Sequence, residues 1–166
     1  MARVYRLRCE MTVPKGIGET FAFFANPRNL SAITPPWLNF TLVTRDPRMR
    51  KGAVLDYRIR WLGIPMRWKS VIASYSPPFS FTDSQEQGPY KKWIHVHTFQ
   101  EAANGTRVAD QVDYQLPFRP LGALAHPLVA RQLREIFEYR QSALATLLGG
   151  AGVLRQPEIV LAEESE

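Results

Sequence analysis

Most of the chain alternates between apolar and polar residues, which is the pattern of β-strands that bury one face and expose the other. Residues 5–11 read Tyr-Arg-Leu-Arg-Cys-Glu-Met, and residues 55–61 follow the same alternation. Five further segments favour strands, at 38–43, 66–72, 79–86, 90–99 and 106–116. Together these segments predict a sheet of seven antiparallel strands with one wet face.

Helical patterns occur in two parts of the chain. After the first strand, apolar residues at helical spacing predict a short helix over 17–25, and Asn26 followed by Pro27 predicts the start of a second one. A long amphipathic helix is predicted from about Leu121 to Leu148. It is the only predicted element large enough to cover the inner face of the sheet. Its expected buried stripe is Leu124, Leu128, Leu133, Ile136, Phe137, Leu144, Leu147 and Leu148.

Turn signals separate the predicted strands, and the strongest is the dipeptide Asn104-Gly105. It predicts a two-residue type I′ turn between the last two strands. With these two residues as the loop, His97 would lie opposite Val112 on the apolar face, and His95 would point the same way. A second hairpin, if it turns about Pro89, would place Asp83 opposite His95.

The inner face of the sheet carries an unusual mixture of aromatic and polar residues. Each buried polar group without a partner costs about 1–3 kcal/mol, so a dry core does not accept many of them. Aromatic walls with a few convergent polar groups are typical of small-molecule pockets, and we therefore predict a cavity under the long helix. Phe79 and Ser70 also share this face. The predicted ligand-binding residues are Tyr57, Trp61, Trp68, Phe81, Asp83, Gln85, Trp93, His95, His97, Phe99, Asp110, Tyr114 and Phe137.

Four of these residues, Asp83, His95, His97 and Asp110, are candidates for chemistry. A histidine beside a buried carboxylate is suited to proton transfer, so acid–base catalysis is one interpretation. Hydrogen bonding to the polar end of a ligand is the other. His95 and His97 are also close enough on a strand to share a metal ion, with Asp83 or Asp110 as a third ligand. Because an isolated His-x-His is a short motif, no metal and no cofactor are predicted, and no residue is assigned as catalytic.

Composition and charge limit the classes of protein that fit. The chain has 166 residues, 45% of them hydrophobic, and a single cysteine, Cys9, so no intrachain disulfide can form. No apolar run reaches the ~20 residues that span a bilayer, and a cytoplasmic location is the expectation. One domain is predicted over residues 1–149, followed by a mobile acidic tail over 150–166.

The net charge of +6 permits an anionic partner but does not identify one. Acidic residues are interspersed among the outward-facing bases, which favours a solvated face over a binding surface for nucleic acid. No nucleic-acid partner is predicted, and peripheral membrane contact and a protein-interaction role for this face stay open. The outward-facing bases are Arg6, Arg8, Arg58, Arg60, Arg67, Lys69 and Arg107.

Several strings resemble the START-like, or SRPBCC, superfamily, which includes the polyketide cyclase/dehydrase family. They are FAFFANPRNL at 21–30, ITPP at 33–36, GIP at 63–65 with Trp68, FTDSQ at 81–85, GPY at 88–90, WxHxHxF at 93–99, DxVxYxLP at 110–117 and IFxYR at 136–140. The resemblance covers about residues 3–148.

This resemblance implies an α+β helix-grip fold. In that fold a seven-stranded curved antiparallel sheet wraps around a long C-terminal helix, and two short helices follow the first strand. The resemblance also implies a hydrophobic cavity between sheet and helix. Members bind lipids, quinones or polyketides, and some are enzymes, so the expected function is binding of a small hydrophobic ligand. The alternative is a cyclase or dehydratase that uses the His/Asp network of the same cavity.

Overall fold

A computed structural model describes residues 3–118, 120–150 and 152–162. Within them the sheet has eight strands in the order β2-β3-β4-β5-β6-β7-β1-β8, and every neighbouring pair is antiparallel. The expected helix-grip fold is confirmed. The elements in chain order are β1 (Tyr5–Val13), α1 (Ile17–Phe24), 3₁₀ helices at Pro27–Ile33 and Pro36–Leu38, β2 (Thr41–Leu42), β3 (Val54–Trp61), β4 (Ile64–Ser76), β5 (Ser80–Gln87), β6 (Lys92–Ala102), β7 (Gly105–Gln115), α2 (Leu121–Leu147) and β8 (Gly152–Leu161).

The eighth strand corrects the prediction of a mobile tail from residue 150 onwards, which is wrong for residues 152–161. This segment pairs with β1, from Leu161 opposite Tyr5 to Gly152 opposite Thr12. Without it the backbone groups of β1 would be unpaired along one edge, which is why a strand is favoured there. The domain therefore extends through β8, and residues 163–166 of the predicted tail lie outside the described residues.

The hairpin between β6 and β7 also differs from the predicted register. Gly105 is the first residue of β7 and pairs with Ala102, so His97 lies opposite Asp110. Gly105 has φ 141°, and a Cβ there would lie 1.9 Å from the carbonyl oxygen of Val13. The glycine therefore belongs to β7, which pairs with β1, and not to the loop. Because the shift is two residues, every side chain keeps its predicted face.

Four of the seven outward-facing bases form ion pairs with acidic residues on neighbouring strands. Arg6 donates two hydrogen bonds to Asp113 across the β1–β7 pair, at 2.6 and 2.7 Å. Arg67 on β4 forms an ion pair with Asp56 on β3. Lys69–Glu86 and Arg107–Glu10 are further cross-strand pairs. These cations are therefore compensated within the sheet.

Helix α2 packs on the inner face of the sheet through a narrower stripe than predicted. Val129, Leu133 and Leu144 are buried on that stripe. Leu124 and Leu128 were expected on it but are 76% and 58% exposed, because they lie about 100° or more around the helix axis from it. Within the described residues, no helix combines the length and the apolarity needed to cross a bilayer.

We predict that Gly105→Ala destabilises the protein by at least about 2 kcal/mol, since the new Cβ would meet the β1 backbone in a strained conformation. Urea denaturation measures this change. Gly18→Ala is the matched control, because Gly18 lies in α1 with nothing near its Cβ position. The control should be unchanged or slightly stabilised. Equal stability of the two variants would contradict the close approach at Gly105.

Candidate functional site

A cavity of about 170 Å³ lies between the inner face of the sheet and α2. Trp61, Trp68 and Trp93 supply much of its aromatic wall from β3, β4 and β6. The indole N–H groups of two of them are satisfied, since Trp61 donates to the Tyr90 hydroxyl at 3.2 Å and Trp68 to Ser70 Oγ at 3.0 Å. The indoles thus present their ring faces and leave few polar atoms unpaired.

The polar side of the cavity is a network of two histidines and two carboxylates. Asp83 on β5 lies opposite His95 on β6, as predicted. Asp110 Oδ1 lies 2.7 Å from His95 Nε2 and 3.1 Å from His97 Nδ1. His97 Nε2 lies 2.9 Å from Asp83 Oδ2. Since an ionised carboxylate only accepts hydrogen bonds, the ring nitrogens facing Asp110 both donate.

Arg140 completes the network from α2, and it was not among the predicted site residues. It is 8% exposed, and its Nη2 lies 3.5 Å from Asp110 Oδ1. Its guanidinium carbon also lies 5.3 Å from the centroid of the Phe24 ring. The sequence did contain a signal for it, because Arg140 follows Leu133 and Phe137 at helical spacing on the buried stripe of α2.

These groups set one another's charges. Burial alone would raise the pKa of Asp110, but Arg140 and the hydrogen bonds from both histidines hold that pKa well below its usual value. The pKa of Asp83 is also lowered, since the hydrogen bond from His97 and the nearby positive charges outweigh burial. Burial would lower the pKa of His97, but its bonds to Asp110 and Asp83 raise it. Burial and the neighbouring His97 lower the pKa of His95.

These directions favour ionised Asp83 and Asp110, a protonated His97 and a neutral His95. Each carboxylate thus lies against an imidazole, and Asp110 also lies beside the Arg140 guanidinium. A site that excludes most water tolerates charged side chains when they are paired with opposite charges, because an unpaired buried charge is costly. Asp110 also accepts a weak contact from the Cys9 thiol, whose sulfur lies 4.0 Å from Oδ2. Burial raises the pKa of that thiol, which keeps it protonated.

Most of the predicted ligand-binding residues lie on the cavity wall. Gln85 does not, because it donates to the Tyr90 carbonyl at 2.7 Å and accepts from the Tyr90 amide at 3.2 Å. Asp110 lies behind the histidines. The predicted residues on the wall are Tyr57, Trp61, Trp68, Phe81, Asp83, Trp93, His95, His97 and Phe137.

Three residues that were predicted to point inward do not line the cavity. Phe99 packs with Phe21 in a second hydrophobic cluster and does not line the cavity itself. Tyr114 is fully buried, and its hydroxyl lies 3.0 Å from His126 Nε2 on α2. Phe79 is 59% exposed and was wrongly placed inside, because it belongs to the turn before β5.

One side of the cavity was missed altogether by the sequence analysis. It is built by α1, the two 3₁₀ helices and the segment that follows them, where no alternation marks the inward residues. Only Phe24 and Ile33 could have been found there, from their helical spacing. The lining residues of this part are Phe23, Phe24, Asn26, Pro27, Asn29, Leu30, Ile33, Thr34, Leu38, Phe40 and Met49.

This arrangement of side chains suits two kinds of chemistry. Asp83, His95 and His97 hold hydrogen-bonding groups against an apolar cavity, which suits recognition or proton transfer at the polar end of a bound molecule. The same three residues each bring a potential metal-ligand atom within 4.8 Å of the other two.

Comparisons with known proteins add the family and the fold. The family described as "Polyketide cyclase / dehydrase and lipid transport" matches residues 13–138. No curated protein matches the chain. Among solved structures, Ms6760 from Mycobacterium smegmatis is 19% identical, covering 87% of this chain and 90% of its own, with a TM-score of 0.64.

Two further solved structures extend the range of the fold. The major latex-like protein 151 of Panax ginseng is 15% identical over 88% of this chain and 98% of its own, with a TM-score of 0.63. The di-domain ARO/CYC StfQ from the steffimycin biosynthetic pathway is 13% identical over 89% of this chain and 52% of its own, with a TM-score of 0.69. At these identities the likeness shows the fold alone.

We predict that His97 makes stability fall as the pH rises above the ordinary histidine pKa of 6.5. A raised pKa in the folded state gives a stabilisation that is complete below 6.5 and is lost as the pH passes through the folded value. The measurement is the free energy of unfolding of chelator-treated protein between pH 6 and about pH 8, for wild type and His97→Gln. The difference between the two should shrink with rising pH. Parallel profiles would mean that the pKa of His97 is the same in the folded and unfolded protein, and a difference that grows with pH would mean that folding lowers this pKa.

Proposed function

The chain belongs to the polyketide cyclase/dehydrase and lipid transport family, and on that basis we propose that it binds a small hydrophobic molecule in the cavity under α2. The observation that carries this proposal is the wall itself. Three tryptophans, with Tyr57, Phe81 and Phe137, enclose the cavity, and few polar groups interrupt them. Such a wall offers apolar area that is released from water when a ligand enters.

The size of the cavity favours a compact ligand. A dry cavity of about 150 Å³ in another protein accepts benzene. The 170 Å³ here therefore match one substituted ring. A lipid chain, a quinone or a polyketide-like molecule shares the required apolar body.

The polar groups orient this ligand by one end. Asp83, His95 and His97 lie on the cavity wall, whereas Asp110 holds the two imidazoles from behind. Tyr57 adds a buried hydroxyl, whose pKa burial and the charge of Asp83 raise, so that it stays a neutral donor. A ligand with a hydroxyl or carbonyl at one end meets both acceptors and donors here.

The first test is native mass spectrometry of the freshly purified, untagged protein. We expect an adduct that denaturation releases and that partitions into organic solvent. Protein that is free of adduct and that also fails the titration described next would refute the proposal.

We predict that p-cresol, an apolar ring with one hydroxyl, binds with a dissociation constant on the order of 100 µM, because burial of about 200 Å² of apolar area contributes about 5 kcal/mol. Titration calorimetry measures this affinity. Leu30→Trp should weaken binding at least about tenfold by filling the cavity from the first 3₁₀ helix. Leu128→Trp is the matched control, since Leu128 is exposed and lies off the cavity wall.

A second candidate function is that of an enzyme of the cyclase or dehydratase type. The observation in its favour is the short contact of 2.7 Å between His95 Nε2 and Asp110, which fixes the ring so that Nδ1 is on the side of Asp83 and the cavity. A histidine held in this way can take a proton from a bound substrate. The structurally similar di-domain ARO/CYC StfQ comes from the steffimycin biosynthetic pathway.

The two candidates differ in one measurement. If the protein is an enzyme, the ligand recovered with it should lose water or cyclise on incubation with wild type. His95→Gln should abolish that conversion while changing ligand affinity only about two- to threefold. An unchanged ligand after incubation with wild type would leave binding as the function.

A further inference from the structure

We propose that Asp83, His95 and His97 form a binding site for one divalent transition-metal ion at the polar end of the cavity. From the sequence, the His-x-His pair alone is a short motif, and either Asp83 or Asp110 could have been the third ligand. The structure groups Asp83 of the neighbouring strand with the two histidines, and one potential ligand atom of each residue lies within 4.8 Å of the other two.

The separations of the ligand atoms fit a shared ion. Two atoms bound to one ion at about 2.1 Å lie about 3.0–3.5 Å apart in octahedral or tetrahedral geometry. Asp83 Oδ2 lies 2.9 Å from His97 Nε2 and 3.7 Å from His95 Nδ1. Both separations lie within a few tenths of an ångström of this range, and one ligand nitrogen of His95 lies within 4.8 Å of one of His97.

Asp110 supplies the outer support that metal-binding histidines require. It accepts from the opposite nitrogen of each ring, Nε2 of His95 and Nδ1 of His97. Ligand histidines usually donate their second N–H to a carboxylate in this way, which fixes the ring and makes the free nitrogen a better donor to the metal. One carboxylate oxygen thus orients both rings, with their other nitrogens on the side of Asp83.

The charges and donor types select the class of ion. Arg140 lies 3.5 Å from Asp110 and compensates it, which leaves the Asp83 carboxylate as the negative ligand. Two nitrogens and one oxygen suit Zn²⁺, Co²⁺ or Fe²⁺, whereas Mg²⁺ and Ca²⁺ prefer oxygen ligands alone. Three protein ligands leave further coordination positions open, and these are on the side of the cavity.

Metal binding exchanges one set of contacts for another. The ion replaces the hydrogen bond between His97 Nε2 and Asp83, and the proton on that nitrogen is released to solvent. Both imidazoles keep their N–H bonds to Asp110. No oxidant or reductant takes part.

The test is a Co²⁺ titration of the untagged, full-length protein after dialysis against a chelator. We expect visible absorption bands that saturate at about one equivalent of Co²⁺ and disappear when Zn²⁺ is added. Wild-type protein that gives no saturable bands overturns the proposal without any variant.

Three variants then locate the site. His95→Gln and Asp83→Asn should each weaken Co²⁺ binding by at least about 100-fold, and Asp110→Asn by about 10- to 100-fold. His126→Gln is the matched control, because His126 lies on α2 and not in the network, and it should bind Co²⁺ like wild type. Circular dichroism checks that each variant is folded. Retained binding in His95→Gln and Asp83→Asn, or equal loss in His126→Gln, would overturn the assignment.

The metal site and the proposed ligand-binding function can fail separately. The p-cresol titration uses chelator-treated protein, and the Co²⁺ titration contains no organic ligand. If p-cresol binds and Co²⁺ does not, the metal site alone is refuted. If Co²⁺ binds, p-cresol does not and the purified protein carries no adduct, the ligand proposal alone is refuted.

Discussion

A buried carboxylate that has to stay ionised is the constraint on which the rest of this structure depends. Asp110 can do so only because Arg140 and two imidazoles offset the cost of removing it from water. The compensating groups come from two elements, since the histidines are on β6 and Arg140 is on α2, while Asp110 itself is on β7. The network thereby joins the helix to the sheet at one defined position. Apolar packing alone would allow α2 to shift along the sheet, whereas the hydrogen bonds of the network require one position of the helix.

The same network of charges makes the two ends of the cavity chemically different. Where the charges compensate one another, the wall is polar and fixed by hydrogen bonds between strands. Elsewhere the wall is aromatic, and the indole N–H groups of Trp61 and Trp68 donate to Tyr90 and Ser70. In the proposed function, a bound molecule would meet hydrogen-bonding groups at one end and apolar surface at the other. The network would then determine its orientation, and the aromatic wall would supply most of its affinity.

The sequence predicted which face of each strand is buried better than it predicted which residues are neighbours. Alternation assigned His95, His97, Asp83 and Asp110 correctly to the inner face, because that assignment needs only parity. The pairing of His97 with Asp110 depended on whether Gly105 was in the loop or in the strand, and that was decided by its contact with the distant Val13.

Long-range effects of this kind explain the other errors. Arg140 was overlooked because a charged residue in a helix is normally solvated, and only its acidic partner across the interior makes burial tolerable. The short 3₁₀ segments carry no periodicity that marks an inward face. Residues 152–161 were judged by their terminal position and by the acidic residues around them. Their strand exists because β1 offers an unpaired edge.

The position of β8 has a consequence for how copies of this chain meet in solution. A long, regular and unpaired strand at the margin of a sheet invites another molecule to continue the ladder, which leads to aggregation. Here one margin is β2, which is only two residues long. The other margin is β8, where Pro157 lacks an N–H and the alignment with β1 shifts between Arg8 and Glu10. The β2 margin is short and the β8 margin is interrupted, and both features disfavour the addition of a strand from another molecule.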